Sequence, residues 1–240
     1  MVEFLTFALA APLAAMGEIA VGERRGSWDR PGRSAVLGLV AGCLGIDRED
    51  EDAHAALETG YGVALRVQNV GPLLPDYHTA QVPPARRGRR FATRAEELAA
   101  PDLETILSRR DYRADVLVLA ALWRRPAAPW PLSEIAGALC RPHYTPYFGR
   151  EACPLILPMA PLCTEAADPL AALAERAEHG PEPERQLLPL RSAPTVTMTA
   201  ADAHAFGLPV QRVEIRRDAV ASRRRWQFVL RDEAILSERP

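Results

Sequence analysis

Residues 114–123 read ADVLVLAALW, a nearly continuous apolar run. A short run of this kind, with valines at 116 and 118, fits a central strand covered on both faces. Working outward, residues 61–70 (YGVALRVQNV) alternate, with Val63, Leu65 and Val67 inward and Ala64, Arg66 and Gln68 outward. That period of two predicts a half-buried strand. Residues 71–113, between the two, break the periodicity with Pro72, Pro75, Pro83 and Pro84. A stretch of roughly 40 residues is too long for an ordinary connection, so it reads as a functional excursion from the sheet. Upstream, residues 2–10 predict a buried first strand, with Leu5, Phe7 and Leu9 on one face, ending at Pro12. Residues 4–16 also resemble a signal-peptide core, but Glu3 precedes them without any Arg or Lys and Pro12 interrupts them, which favours the strand.

Ser34 opens a helix with Val36, Leu37, Val40, Cys43 and Leu44 on its apolar face, closed by Gly45. A second helix starts in the acidic run 49–52, where carboxylates suit the positive N-terminal dipole, and stops at Gly60. Residues 131–140 predict a third, with Leu132, Ile135 and Leu139 at helical spacing. The order is strand, helix, strand, excursion, strand, helix, then the apolar residues 155–159. This is a split βαβ pattern, giving an α+β fold with a ferredoxin-like or RRM-like domain over residues 1–160. Residues 161–193, rich in Pro, Ala and Glu, read as a linker or insertion. Residues 194–240 read as a smaller β-rich region with strands at 211–217 and 226–230.

The 240 residues carry a net charge of −2, so any nucleic-acid surface must be a local patch. All 29 basic residues are arginine. Arginine pairs bidentately with phosphate and stacks on rings, but it is a poor general base. Schiff-base chemistry and a phosphate-binding P-loop lysine are excluded. Cys43, Cys140, Cys153 and Cys163 form no CxxC pair and no zinc pattern. Three of them read as small core residues in a reduced, cytosolic protein. No run approaches the roughly 20 apolar residues of a membrane helix.

Residues 141–155, RPHYTPYFGREACPL, set Arg141, His143 and Arg150 among Tyr144, Tyr147 and Phe148. Interleaved arginines and rings suit single-stranded nucleic acid, because arginine neutralises phosphate and rings stack on bases. The same pattern is also met in a tightly turned loop whose tyrosines cap a core. Ser34, after Gly32 and Arg33, is either an ordinary N-cap or a phosphate site at a helix N-terminus. Tyr77, His78 and Thr79 admit acid–base work, since an imidazole titrates near neutrality. The acidic run 47–52 reads as a solvated helix start, and no residue set has metal-ligand spacing.

Five blocks resemble, in order, the CasD family of type I-E Cascade subunits within the CRISPR-associated RAMP superfamily. They are LAAPLAAMG at 9–17, RPGRSAVLGLVAGCLGI at 30–46, DYHTAQ at 76–81, SRRDYRADVLVLAALW at 108–123 and RPHYTPYFGREACPL at 141–155. The resemblance implies an RRM-like domain with an inserted hairpin thumb, here 71–113. It implies a cytoplasmic, non-catalytic subunit that binds the crRNA 5′ handle, contacts the backbone and large subunits, meets target DNA only indirectly, and needs no cofactor, metal or membrane. The RNA contacts it implies, together with the arginines read from the thumb, fall on Met16, Arg24, Arg25, Trp28, Arg33, Ser34, Tyr77, His78, Arg86, Arg87, Arg89, Arg90, Arg109, Arg110, Tyr112, Arg141, Tyr144, Tyr147 and Arg150. The alternative is a metal-independent endoribonuclease that processes CRISPR repeat RNA. Cleaving relatives in another subtype use a Tyr, a Lys and a His, and this chain has no lysine.

Overall fold

The computed structural model describes residues 1–17, 22–85, 88, 90–187 and 194–237. Its spine is β5 (Glu104–Arg124), a strand of 21 residues whose C-terminal half is the apolar run 114–123. One edge of that half pairs antiparallel with β1 (Val2–Ala14), the other with β3 (Tyr61–Asn69). β6 (Leu162–Ala166) lies outside β1, and β7 (Thr195–Thr199) outside β3. β9 (Gln227–Ser237) and β8 (Arg212–Ser222) continue the same sheet, giving the order β6-β1-β5-β3-β7-β9-β8. The C-terminal strands therefore extend the main sheet.

Two clusters cover the two faces. On one, α1 (Arg33–Leu44) and α4 (Leu132–Cys140) pack Val36, Val40, Ile135 and Leu139 onto Leu5, Phe7, Leu65 and Val118. α2 (Glu51–Gly60) adds Leu57. On the other, α5 (Pro169–His179) and α7 (Ala200–Ala205) join Phe4, Ala64, Leu119 and Trp123. Each fully buried large side chain contributes roughly 1.5–3 kcal/mol by leaving water. The expected half-buried strand 61–70 is thus corrected: β3 is buried on both faces, because the C-terminal elements cover the second one. The residues of 161–193 that are described form β6, α5 and α6 (Glu182–Leu187).

β1 does not stop at Pro12 but runs on to Ala14. Beyond Thr6 its outer edge has no strand partner among the described residues, and the Ala8 N–H turns to that edge, to the Met159 carbonyl. Pro12, four residues on, points the same way, so its missing N–H costs no ladder bond. Residues 155–159 form no strand; the strand that follows α4 is β6. Cys43 and Cys153 are buried, whereas Cys140 and Cys163 are exposed, so two cysteines rather than three are core residues.

Residues 73–82 and 104–113 form a hairpin, with β4 (Leu73–Val82) pairing against the N-terminal half of β5 from Leu73↔Arg113 to Val82↔Glu104. α3 (Arg94–Leu98) lies near its tip. The hairpin leaves the sheet at Gly71, where φ is +70° and a Cβ would stand 1.6 Å from the Ala114 carbonyl oxygen, so only glycine fits. The Asn69 side-chain amide donates to the Asp115 carbonyl across this exit, and its oxygen accepts from the Gly71 N–H at 2.9 Å.

Candidate nucleic-acid interface

At the root of the hairpin, β2 (Arg24–Arg25) runs parallel to β5 and sets Arg24 beside Arg109 and Arg25 beside Arg110. On the opposite edge of β5, Tyr77 faces Arg109 and Asp76 faces Arg110. Directly opposed residues share a face of a sheet. Tyr77, Arg109 and Arg24 therefore form one row, and Asp76, Arg110 and Arg25 another. The buried Asp111 carboxylate takes Arg24 at 3.1 Å and Arg109 at 3.7 Å, one negative charge for two guanidiniums. Tyr77 is 67% exposed. His78 stands 3.9 Å from the Asp76 carboxylate, an ion pair only when the ring is protonated.

The loop after α4 is fastened to this root. The His143 N–H donates to the Cys43 carbonyl and the Tyr144 N–H to that of Gly42, seating the loop on the end of α1. Gly149, at φ +91°, brings the chain against the Ala15 carbonyl, leaving no room for a Cβ. Arg150 then lies 4.5 Å over the Tyr112 ring and donates to the carbonyls of Asp111 and Arg25, each at 3.3 Å. The Tyr144 hydroxyl donates to Asp47 at 2.7 Å, and this bond raises its pKa. Tyr147 is 46% exposed, and Arg141 is exposed at the end of α4.

A cleft of about 730 Å³ opens between this loop, the start of α1 and the β8–β9 hairpin. Arg25, Arg150, Arg216, Arg217 and Arg223 line it, with Asp218 as its only lining acid among the described residues. The expected residues Met16, Ser34, Tyr144 and Tyr147 line it too. Among the described residues, no carboxylate lies within ion-pair distance of Arg25, Arg150, Arg217 or Arg223.

Other expected contacts are used inside the fold. Arg33 is buried, donating to the carbonyls of Glu58 and Tyr61 at 2.6 and 2.7 Å and pairing with the Glu58 carboxylate. Burial pushes the Arg33 guanidinium down and the Glu58 carboxyl up, so desolvation outweighs their attraction. Trp28 packs on the core with Arg216 4.5 Å over its ring. Ser34 is not an N-cap; Gly32 holds that position, without a side-chain cap. The Ser34 carbonyl accepts from Arg223 at 2.6 Å. Arg30 is enclosed by Glu233 at 2.7 Å, Asp29 at 2.8 Å and Glu214. Arg86, Arg87 and Arg89 lie outside the described residues, and Arg90 is exposed.

The C-terminal wall of the cleft adds residues to which the family resemblance gives no contact. Arg223, Trp226 and Phe228 line it, and the run RRRW at 223–226 carries the same arginine–ring interleaving as 141–150. Among the described residues no group of three His, Cys, Asp or Glu side chains is placed to hold a metal ion. No helix there is long and apolar enough to cross a membrane.

A family model described as CRISPR-associated protein (Cas_Cas5) matches residues 4–228. The CRISPR system Cascade subunit CasD of Escherichia coli (strain K12) is 34% identical over 180 residues, which cover 71% of this chain and 75% of that protein. A chain of a CRISPR RNA-guided surveillance complex shares the fold with a TM-score of 0.65 at 22% identity, over 98% of this chain and 89% of its own. A second solved structure, titled as a Cas protein, shares it with a TM-score of 0.59 at 22% identity, over 98% and 95%.

Proposed function

The chain belongs to the CRISPR-associated protein (Cas_Cas5) family, and from that premise we propose that it is the non-catalytic, RNA-binding subunit of a type I-E CRISPR interference complex. It grips the crRNA 5′ handle and caps the row of backbone subunits in the cytoplasm. The single observation that carries this reading is the cleft. Arg25, Arg150, Arg217 and Arg223 face one concavity without carboxylate partners among the described residues, in a protein whose net charge is −2. Unpaired guanidiniums held together repel one another, and a polyanion relieves that repulsion. Rings among the cations narrow the polyanion to a single strand, whose bases are free to stack.

We read the path β1–α1–β3–β5–α4–β6, with the sheet order β6-β1-β5-β3, as an RRM-like domain. The β4–β5 hairpin is its thumb. Exposed Leu73, Leu74, Ile106 and Leu107 on the hairpin support a protein neighbour there. Target DNA meets this subunit only through its partners.

The experiment is a gel shift with the purified chain and single-stranded RNA carrying the 5′ handle, in EDTA. Intact, retarded handle RNA is expected, with weaker binding to the 3′ segment of the same repeat. Equal affinity for both segments overturns handle recognition.

A further inference from the structure

The function proposed above uses the charge of Arg223 but gives no role to the rings of the turn between β8 and β9 and the strand after it, Trp226 and Phe228. That turn is held in place by the chain itself. Arg223 donates to the Ser34 carbonyl at 2.6 Å, Arg48 to the Arg223 carbonyl at 3.5 Å, and the Ser222 hydroxyl to the Glu51 carboxylate. The Arg225 N–H closes the turn on the Ser222 hydroxyl at 3.0 Å.

Trp226 ends the turn with φ at +54°. A bulky aromatic residue in this left-handed region is an outlier, and such strain persists only where the surroundings over-determine it. Core burial does not offset it here, because the residue stays 56% exposed. The ring stands at the cleft with the guanidiniums of Arg48 and Arg223 4.7 and 5.8 Å from its centre. Phe228 meets it edge-on, with ring centres 5.5 Å apart. Phe228 thus packs perpendicular to the ring and the Arg48 guanidinium lies over it, while the exposure of the residue leaves ring surface open to the cleft. A nucleobase with its flanking phosphates needs such a platform: a flat, immobile π-face and positive charge beside it.

We propose that this turn is a second base-binding wall. Trp226 stacks one unpaired nucleobase of an RNA strand lying in the cleft it shares with Tyr147, and Arg217 and Arg223 take the adjoining phosphates. The inference rests on the handle-binding reading and adds to it a stacking ring that positions one particular nucleotide.

The test combines abasic scanning of handle RNA with two substitutions in the full-length chain. Trp226→Gly removes the ring and also relieves the backbone, because glycine adopts positive φ freely; the fold is therefore retained. Trp226→Phe keeps a stacking face. Trp226→Gly is expected to weaken handle binding by about 5- to 150-fold, the measured range for losing one base–ring stack, and Trp226→Phe by much less. A single abasic position should reproduce the loss in the wild type and add nothing in Trp226→Gly. If Trp226→Gly binds like the wild type while Arg25→Ala and Arg150→Ala weaken binding, the wall is refuted and handle binding stands. Additive losses at every abasic position also refute it. A wild-type chain that binds no handle RNA brings down both.

Discussion

The guanidinium of Arg150 lies 4.5 Å over the ring of Tyr112, which clamps the loop after α4 onto the root of the hairpin. Arg150 also donates to two backbone carbonyls, so its charge stays uncompensated while its position is fixed. A cation held this way is ready for phosphate without the entropy cost of ordering a long side chain.

That pair should couple measurably. A double-mutant cycle of Arg150→Ala and Tyr112→Leu, read by chemical denaturation, is expected to give an interaction of about 0.5–2 kcal/mol. Strictly additive effects would mean that the stacking does not hold the loop.

The arginines should separate into two classes. Arg25→Ala and Arg217→Ala each remove an unpaired cleft cation. Each should lower the slope of log affinity against log salt by about 0.7, the value for one phosphate contact on a single strand. Arg30→Ala instead strips the buried Glu233 of a partner. It should destabilise the fold by about 1–3 kcal/mol, since Glu233 keeps Arg231 at 2.8 Å and Arg216 at 3.4 Å, and leave the salt slope of the remaining folded protein unchanged. Salt titrations of fluorescent handle RNA, with parallel denaturation curves, check both; an unchanged slope for Arg25→Ala would place that residue outside the RNA path.

His78→Ala should lower handle affinity modestly and leave repeat-RNA processing in the assembled system intact. The ring is partly exposed beside Asp76, and no lysine exists to complete the set of the cleaving relatives. Losing a true catalytic base would cost about 10²–10⁴-fold in rate, which a gel resolves. EDTA-resistant cleavage by the wild type, abolished in His78→Ala, would promote the ribonuclease reading.

Acid should loosen the clamp between the 29–34 loop and the β8–β9 hairpin. The hydrogen bond from Arg30 holds the Glu214 carboxyl below its ordinary value of 4.5. Its contribution is therefore fully present above about pH 4.5 and is lost as pH falls through the depressed folded value. Glu58, raised by burial, runs the opposite way, contributing most below that ordinary value and losing it as pH rises. Glu214→Gln should be less stable at neutral pH and should flatten the decline below pH 4.5. An unaltered acid limb would assign the decline to other carboxylates.

Most of the architecture was legible because local pattern and final position agree. The apolar run 114–123 is the middle of the sheet, Gly45 ends α1 in a left-handed cap, and Gly60 ends α2. What was not legible depends on residues far along the chain. Arg66 alternates outward in sequence, yet it is buried because α5 arrives over it and its Nη1 donates to the Leu173 carbonyl at 3.4 Å. Trp28 reads as a free ring among arginines, but Arg216 covers it. Arg33 looks like a phosphate ligand from its place at a helix start; only the fold shows that the Glu58 and Tyr61 carbonyls take it. For Arg25, Tyr77 and Tyr147 the local pattern and the exposed position coincide.

The bond from Arg30 to Glu233 spans 203 positions of the chain. Synthesis runs from the N-terminus, so Arg30 has only its neighbour Asp29 as a counter-ion until the strands that carry Glu214 and Glu233 have been made. Until then the cleft lacks the wall that Arg217, Arg223 and Trp226 form. Only a polypeptide that extends through β9 can close it. A product that stops short of β8, from a broken message or a stalled ribosome, would lack both that wall and the acids that hold the 29–34 loop.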